Sequence, residues 1–424
     1  MAAIARDNVA ATGDQRINGL LTGLAWASPV VSYGFPTQRS DYESGYADPA
    51  VDVGLAPLSL GQQQAFRQMA EGTKPFPGGP TFTYGSVESF TNLSLDEAVP
   101  SSADIRLAVS GLPTSAYAYY PTLVYPLMTT PPEAGDQFFT TGFGDTPVMP
   151  GNKVWHMHLH EFGHSLGLKH AHEAGGIAGG PVPTAFDSLE FTAMTYRPHV
   201  GASAEYGFPE PEGNPQTFMM LDIAALQHVY GADFSTNSGN TTYSWNPATG
   251  EMSVNGVAQG APSANRVFLT VWDGGGTDTY DMSNYGGGTS IDLAPGGSSV
   301  TSLEQRALLN YADVVFNGAA PIYARGTVFN ALQHNGDLRS LIENAIGGSG
   351  NDAISGNDAA NVLSGGDGAD TIAGGRGYDQ MTGGAGADVF AFSIGDGGSL
   401  PHDVITDFQV GTDKLLLPDR KSVV

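Results

Sequence analysis

Five residues stand at the spacing HExxHxxGxxH: His160, Glu161, His164, Gly167 and His170. Side chains four apart on a helix share one face, so His160 and His164 can offer two imidazole nitrogens to one cation. His170 comes too late on an unbroken helix to join them. A turn must intervene, and Gly167 stands where glycine's tolerance of positive φ ends a helix. Three imidazoles with one position left for water make a catalytic zinc arrangement, not a closed structural one. Glu161 projects toward that water, whose pKa zinc lowers to about 7 from about 15.7. A carboxylate there can take the proton during attack on a carbonyl and pass it to the leaving amine. A second register, His156 with His160 and His164, also gathers three imidazoles on one helical face, but leaves Gly167 and His170 without a role. His156, His158 and His172 are read as surface groups or neighbours of the ligands.

HExxHxxGxxH followed by a methionine turn is the metzincin signature. The second part is present: Phe191-Thr192-Ala193-Met194-Thr195-Tyr196 carries a methionine 24 residues beyond His170. Met194 alone reads as a core methionine. With the zinc motif it reads as the turn beneath the metal. A tyrosine two residues after that methionine resembles the serralysin and astacin groups. The resemblance implies Tyr196 as a fifth zinc ligand or a hydrogen-bond donor in the transition state.

The elements that must position these groups follow from pattern. The zinc helix is expected over 153–166. Ser59 with Gln62 forms a capping box, and Ala65, Phe66 and Met69 recur at helical spacing, predicting a helix over 60–71. Residues 28–35 and 104–109 alternate as strands. The run 116–121 is a short strand ended by proline. The glycine- and proline-rich stretch 173–190 is loop. A helix over 219–230 buries Leu221, Ala225, His228 and Val229 and stops at Gly231.

From Gly347 a nine-residue period runs through GGSGNDAIS, GNDAANVLS, GGDGADTIA, GGRGYDQMT and GGAGADVFA. This is the calcium-binding GGxGxDxUx repeat of RTX proteins. Its glycine-rich half is a turn that exposes carbonyls, and its last three residues are a strand with one inward side chain: Ile354, Leu363, Ile372, Met381 or Phe390. Two units make one coil, so turns 18 residues apart stack. Calcium, which takes six to eight oxygens, fits between them. The expected ligand turns are Gly348, Gly350 and Asp352; Gly366, Gly368 and Asp370; Gly375, Gly377 and Asp379; Gly384, Gly386 and Asp388. The unit at 356 carries Ala359 for a glycine and Asn361 for the aspartate, which weakens its loop. Residues 347–424 hold eleven Asp, no Glu and four Lys or Arg, so the roll should need cations to fold.

The whole chain has 424 residues, room for two or three domains, and a formal charge of −26, which argues against nucleic acid as a partner. Without cysteine there is no disulfide and no cysteine-switch zymogen. No apolar run is long enough for a transmembrane helix, and no N-terminal secretory signal is seen.

Together these features resemble a serralysin over nearly the whole chain. The match includes residues 135–139, the 219–231 helix, the Trp272-Asp273 turn and the run 343–346. The resemblance implies an α+β metzincin-type zinc protease domain followed by an all-β domain with a parallel β-roll. The expected divisions are a lead-in or short pro-segment at 1–22, a catalytic domain at 23–232, a β-rich connecting region at 233–346, the roll at 347–391, and a C-terminal β segment at 392–424. It implies a further calcium site at Asp273, Gly275, Gly276, Asp278 and Glu343. The edge strand, with Ala116, Tyr117, Ala118 and Tyr119, would hold substrate as an added strand; it also reads as an ordinary aromatic edge strand.

The expected protein is therefore a secreted, extracellular, monomeric endopeptidase with one catalytic zinc and several structural calcium ions. Glu161 and Tyr196 would be its catalytic groups. It would act on protein or peptide substrates and leave by a type I secretion transporter. Three departures stand out. Ala171 replaces a usual proline. Asn240 stands where an acid is expected. The chain ends soon after residues 413–417, with Ser422-Val423-Val424 a poor match to an export signal, as in a truncated chain. A calcium-binding surface or adhesive module with an inactive core is the rival from another class.

Overall fold

Ile105–Ser110 is buried at five of its six positions, the mark of a strand covered on both faces. The computed structural model describes residues 3–72, 85–124, 127–144, 146–205, 208–393 and 402–417. Backbone contacts divide the chain into two units, Met1–Asp233 with Leu308–Tyr323, and Phe234–Ala307 with Ala324–Val424.

The first unit is built on a sheet of β1 (Val30–Gly34), β2 (Ala56–Pro57), β3 (Ser94–Glu97), β4 (Ile105–Ser110), β5 (Ala116–Ala118) and β6 (Gln137–Thr140). The order is β3-β1-β4-β6-β5, with β2 paired to β4. Neighbours among β3, β1, β4 and β6 are parallel. β5 closes the edge antiparallel, Ala116 opposite Phe139 and Ala118 opposite Gln137.

Three helices serve the site: α1 (Leu60–Ala70), α2 (Lys153–Ser165) and α3 (Met220–Tyr230). Ser59 and Gln62 cap α1 reciprocally, satisfying two backbone N–H groups that a helix start leaves open. The Asn152 side chain accepts from the Trp155 N–H at 2.9 Å and starts α2. Phe66 of α1 meets Phe162 of α2 with ring centroids 4.6 Å apart. α3 is buried all round except at His228 and Tyr230, more than its expected one-sided pattern.

Residues 1–22, expected as a lead-in or short pro-segment, carry regular elements. Ala5–Arg6 pairs with Ala25–Trp26, Gln15–Asn18 is a helical turn, and Leu20 and Leu21 are fully buried. Burying two leucines is worth about 1.5–3 kcal/mol each, reason enough for this segment to dock. The 233–346 region carries short strands from Thr242–Trp245 to Asn344–Ile346. It contains α4 (Tyr311–Asn317), and Leu308–Tyr323 groups with the first unit, where Leu308 N–H donates to Glu210 Oε1 at 2.8 Å.

The second unit contains the repeats. Asn344–Ile346, Val362–Asp367, Gln380–Ala385 and Val404–Ile405 follow one another in one sheet. Ser290–Asp292, Ala353–Ser355, Thr371–Ala373, Val389–Ala391 and Lys414–Leu416 form another. Successive strands are parallel, and the repeats pair 18 residues apart, as in Ile354 with Ile372 and Leu363 with Met381. The five predicted inward residues, Ile354, Leu363, Ile372, Met381 and Phe390, are no more than 1% exposed. Ser422-Val423-Val424 lies outside the described residues.

Candidate active site

α2 places His160 and His164 on one face, and the chain then turns at Gly167. Its φ is +99°, and a Cβ there would run into the Leu24 carbonyl, so both backbone and space call for glycine. The turn returns His170 to the helix. His170 Nε2 lies 3.1 Å from His160 Nε2 and 3.1 Å from His164 Nε2. The other nitrogens are held by oxygen: His160 Nδ1 by Ala193 O at 2.9 Å, His164 Nδ1 by Leu168 O at 2.8 Å, and His170 Nδ1 by Glu173 Oε1 at 2.7 Å. An oxygen at Nδ1 fixes the proton there and leaves the Nε2 lone pairs converging. Burial holds His160 down to about 4 and His170 down to about 3, and pushes His164 well below its usual range. All three are neutral at pH 7, the form that binds metal. Three unprotonated nitrogens this close repel unless a cation lies between them, and Zn–N bonds of about 2.0–2.1 Å suit the spacing. The donor set fits zinc.

Glu161 is buried, and burial pushes its carboxyl up to about 8. Its Oε2 has no hydrogen-bond partner. An adjacent cation would draw the pKa back down. Glu161 and His160 border a cavity of about 360 Å³ together with Ala116, Met157, Tyr196 and Phe208. Tyr196 packs its ring 4.4 Å from that of His170 and 5.9 Å from that of His160.

Met194 is fully buried beneath the cluster, and a Cβ on Gly163 of α2 would strike its sulfur. Gly163 thus lets helix and turn touch. The turn is anchored by Asp222 of α3, which the sequence reading missed. Its Oδ2 accepts from Ala193 N–H at 2.7 Å and Met219 N–H at 2.9 Å, and its Oδ1 accepts from the Thr192 hydroxyl. An acid in the first turn of an otherwise apolar helix was the available signal. Ala171, the departure from the usual proline, donates its N–H to Met194 O at 3.0 Å, a bond proline cannot make.

The remaining histidines separate. His156 lies 6.1 Å from His160 by ring centroids, outside the cluster of His160, His164 and His170. His158 is not a surface group: it is fully buried with its ring 3.9 Å from Phe139. His172 stacks on His170 at 5.4 Å. Of the four edge-strand residues, Ala116 lines the cavity. Tyr117 and Tyr119 turn to Asp48, their hydroxyls donating to its Oδ2 at 2.7 and 2.6 Å. Strand alternation sends them to that face.

In the repeats, one carboxylate oxygen of an aspartate accepts from a backbone N–H of the coil before it. Asp370 Oδ1 accepts from Asp352 N–H at 2.8 Å, Asp388 Oδ1 from Asp370 N–H at 3.0 Å, and Asp379 Oδ1 from Asn361 N–H at 2.9 Å. Oδ2 of Asp278, Asp370 and Asp388 is buried without a hydrogen-bond partner. Gly366, Gly368, Gly375, Gly377, Gly384 and Gly386 all have positive φ. Gly348 and Gly350 do not, but a Cβ there would strike Tyr285 O and the Gly287 backbone. Asp352 differs, since its Oδ2 accepts from Gly348 N–H at 2.6 Å. Asn361 closes its own turn, its amide donating to Glu343 O and Asn357 Oδ1. Ahead of the repeats, Asp278 N–H donates to Glu343 Oε2 at 2.8 Å, and Asp273 Oδ1 accepts from Gly275 N–H at 2.7 Å. Gly275 and Gly276 also have positive φ, +140° and +144°. Buried oxygens with no donor, beside turns rich in carbonyls, suit calcium.

Comparison with known proteins finds serralysin relatives. The Peptidase M10 serralysin C terminal family model matches residues 232–317 and 335–422. The chain is 36% identical over 261 residues to Metallopeptidase AprA of Pseudomonas marginalis, covering 60% of this chain and 48% of the relative. It is 38% identical over 262 residues to Serralysin G of Dickeya chrysanthemi, covering 60% and 47%. It is 32% identical over 224 residues to Serralysin of Proteus mirabilis, covering 51% and 38%. The chain thus spans half or less of the length of these relatives.

Proposed function

We propose that this chain, a relative of the serralysins, is a zinc-dependent metalloendopeptidase that cleaves extended protein segments outside the cell and is stabilised by calcium in its repeat turns. One observation carries the reading. Three neutral imidazoles aim unprotonated nitrogens at one point, and the unpartnered oxygen of Glu161 borders the same cavity.

His160, His164 and His170 would hold the metal. Bound there, zinc lowers the pKa of a water and polarises the scissile carbonyl. Substrate backbone lies along the edge of β5, with a side chain in the cavity beside Ala116. Glu161 Oε2 accepts the water proton as the oxygen attacks and returns it to the leaving amine. The Tyr196 phenol donates a hydrogen bond to the developing oxyanion, a contribution of about 2–4 kcal/mol. Asp273, Asp278, Glu343 and the repeat aspartates, with Asp352 and the sealed Asn361 turn contributing least, would take calcium. The same kinship suggests a monomer exported by a type I transporter. Among the described residues no helix is long and apolar enough to cross a membrane.

The test is zinc content and casein cleavage measured on one preparation. Wild type should hold one zinc and lose cleavage to o-phenanthroline. Glu161→Ala should keep the zinc and lose cleavage on the order of 10³-fold. Undiminished turnover by that variant removes Glu161 from the mechanism. A protein that binds calcium but neither zinc nor substrate would instead be the adhesive module.

A further inference from the structure

The third histidine carries more around it than its role as a ligand requires. Glu173 reaches His170 Nδ1 through Oε1 at 2.7 Å, and its side chain is 42% exposed. A carboxylate has a second oxygen, so this contact leaves Glu173 able to bind elsewhere. The His172 ring lies nearly parallel to that of His170, at 16° and 5.4 Å, and 4.9 Å from the ring of Tyr196. Its Nδ1 is shut off from solvent and has no hydrogen-bond partner. A buried ring nitrogen without a partner is costly and calls for a proton donor or a cation. One ligand atom from each of His170, His172 and Glu173 lies within 4.8 Å of the others.

We propose that His172 and Glu173 form a second, weaker site for a divalent cation of zinc type, set behind His170, and that filling it inhibits the enzyme. Imidazole with carboxylate suits zinc better than calcium or magnesium, which prefer oxygen alone. Water completes the coordination. Glu173 then bridges, one oxygen on the proton of His170 Nδ1 and the other on the second cation. The cation draws charge from the carboxylate that orients His170, and such outer partners are worth about 10–100-fold in metal affinity or activity. The His172 ring that would hold it packs 4.9 Å from the ring of Tyr196, the proposed oxyanion donor. Activity should therefore rise and then fall as zinc increases.

The inference rests on the three-histidine cluster being the catalytic zinc site. Equilibrium dialysis of the full chain against rising free zinc, in saturating calcium, separates the two. Zinc per chain and peptide cleavage are read on the same samples. Wild type should bind one tight equivalent and then a second at least about a hundredfold weaker, with cleavage falling severalfold as the second fills. His172→Phe keeps a flat ring against His170 and should lose both the second equivalent and the inhibition. Glu173→Gln keeps an oxygen for His170 Nδ1 and should lose the second equivalent while weakening the first about tenfold. A second equivalent and inhibition that persist in His172→Phe would overturn the proposal, as would wild type stopping at one equivalent. Absence of the tight equivalent would overturn the catalytic reading as well.

Discussion

At the histidine cluster, each ring nitrogen that faces away from the shared point is held by an oxygen of the chain: Ala193 O, Leu168 O or Glu173 Oε1. In the second unit, Oδ2 of Asp278, Asp370 and Asp388 is buried with no group donating to it. The two regions would thus stand in opposite relation to the metals proposed for them. Helix, glycine turn and methionine turn orient the histidines through protein hydrogen bonds, so the site is built before the ion arrives. The acidic turns hold buried carboxylates whose charge a cation, or protons at low pH, would neutralise. On the proposed function, zinc would be a reagent and calcium a part of the fold.

Removing each metal in turn tests that contrast and has the largest expected effect. EGTA should abolish most strand signal from the repeats and lower the melting temperature by tens of degrees, because metal binding to such a unit is folding free energy. Zinc removal by o-phenanthroline at saturating calcium should stop cleavage and move the melting temperature by only a few degrees. Circular dichroism reads both. If losing zinc unfolds the first unit as completely as losing calcium unfolds the second, the contrast is wrong.

The calcium-free protein should also carry a pH signature. Burial first, then Asp352, Asp388 and Asp367, pushes Asp370 up to about 6. Burial first, with Asp278 beside it, pushes Glu343 up to about 7, and Asp278 is raised by burial and by Asp273. A carboxyl whose folded pKa exceeds its unfolded value of about 4 binds its proton more tightly when folded. That stability is fully present below the unfolded pKa and is lost as pH climbs through the folded one. In EGTA the second unit should therefore keep more of its strand signal at pH 5 than at pH 8. With calcium the order should weaken or reverse, since the ion binds the ionised form. Parallel pH curves with and without calcium would show that these carboxyls do not meet the ion.

The parts legible from sequence were those written in a fixed period. Four-residue spacing put His160 and His164 on one face, Gly167 marked the turn, and the nine-residue repeat assigned Ile354, Leu363, Ile372, Met381 and Phe390 to the interior. What stayed hidden depends on residues far apart in the chain. Asp222 comes 28 positions after Met194, and nothing local says that its carboxylate holds the methionine turn. Asp48 takes the hydroxyls of Tyr117 and Tyr119 from about 70 residues away, a pairing that no local pattern announces. The helix at Tyr311–Asn317 was lost among short β-prone runs, because seven residues are too few to show a period.

Asp222 gives the next largest effect. Asp222→Ala leaves Ala193 N–H and Met219 N–H without their acceptor inside the core, at about 1–3 kcal/mol each. We expect a loss of about 2–5 kcal/mol in the first unit by urea unfolding, with repeat folding in calcium unchanged. A comparable shift in the repeats' own calcium-dependent transition would mean that the two regions do not stabilise themselves separately.

Ala171→Pro is the smallest change and probes redundancy within the preorganised site. It deletes the N–H that donates to Met194 O at 3.0 Å, a net hydrogen bond of about 0.5–1.5 kcal/mol. His170 is still held by Glu173, and the methionine turn still by Asp222, so neither ligand nor turn loses its anchor. Urea unfolding should show a loss of about 1 kcal/mol, while zinc affinity, read by competition with a chromophoric chelator, stays within about twofold. If zinc affinity instead fell tenfold at that small cost in stability, the orientation of His170 would depend on the backbone link to Met194 more than on Glu173. Preorganisation would then reside in the loop rather than in the side-chain carboxylate.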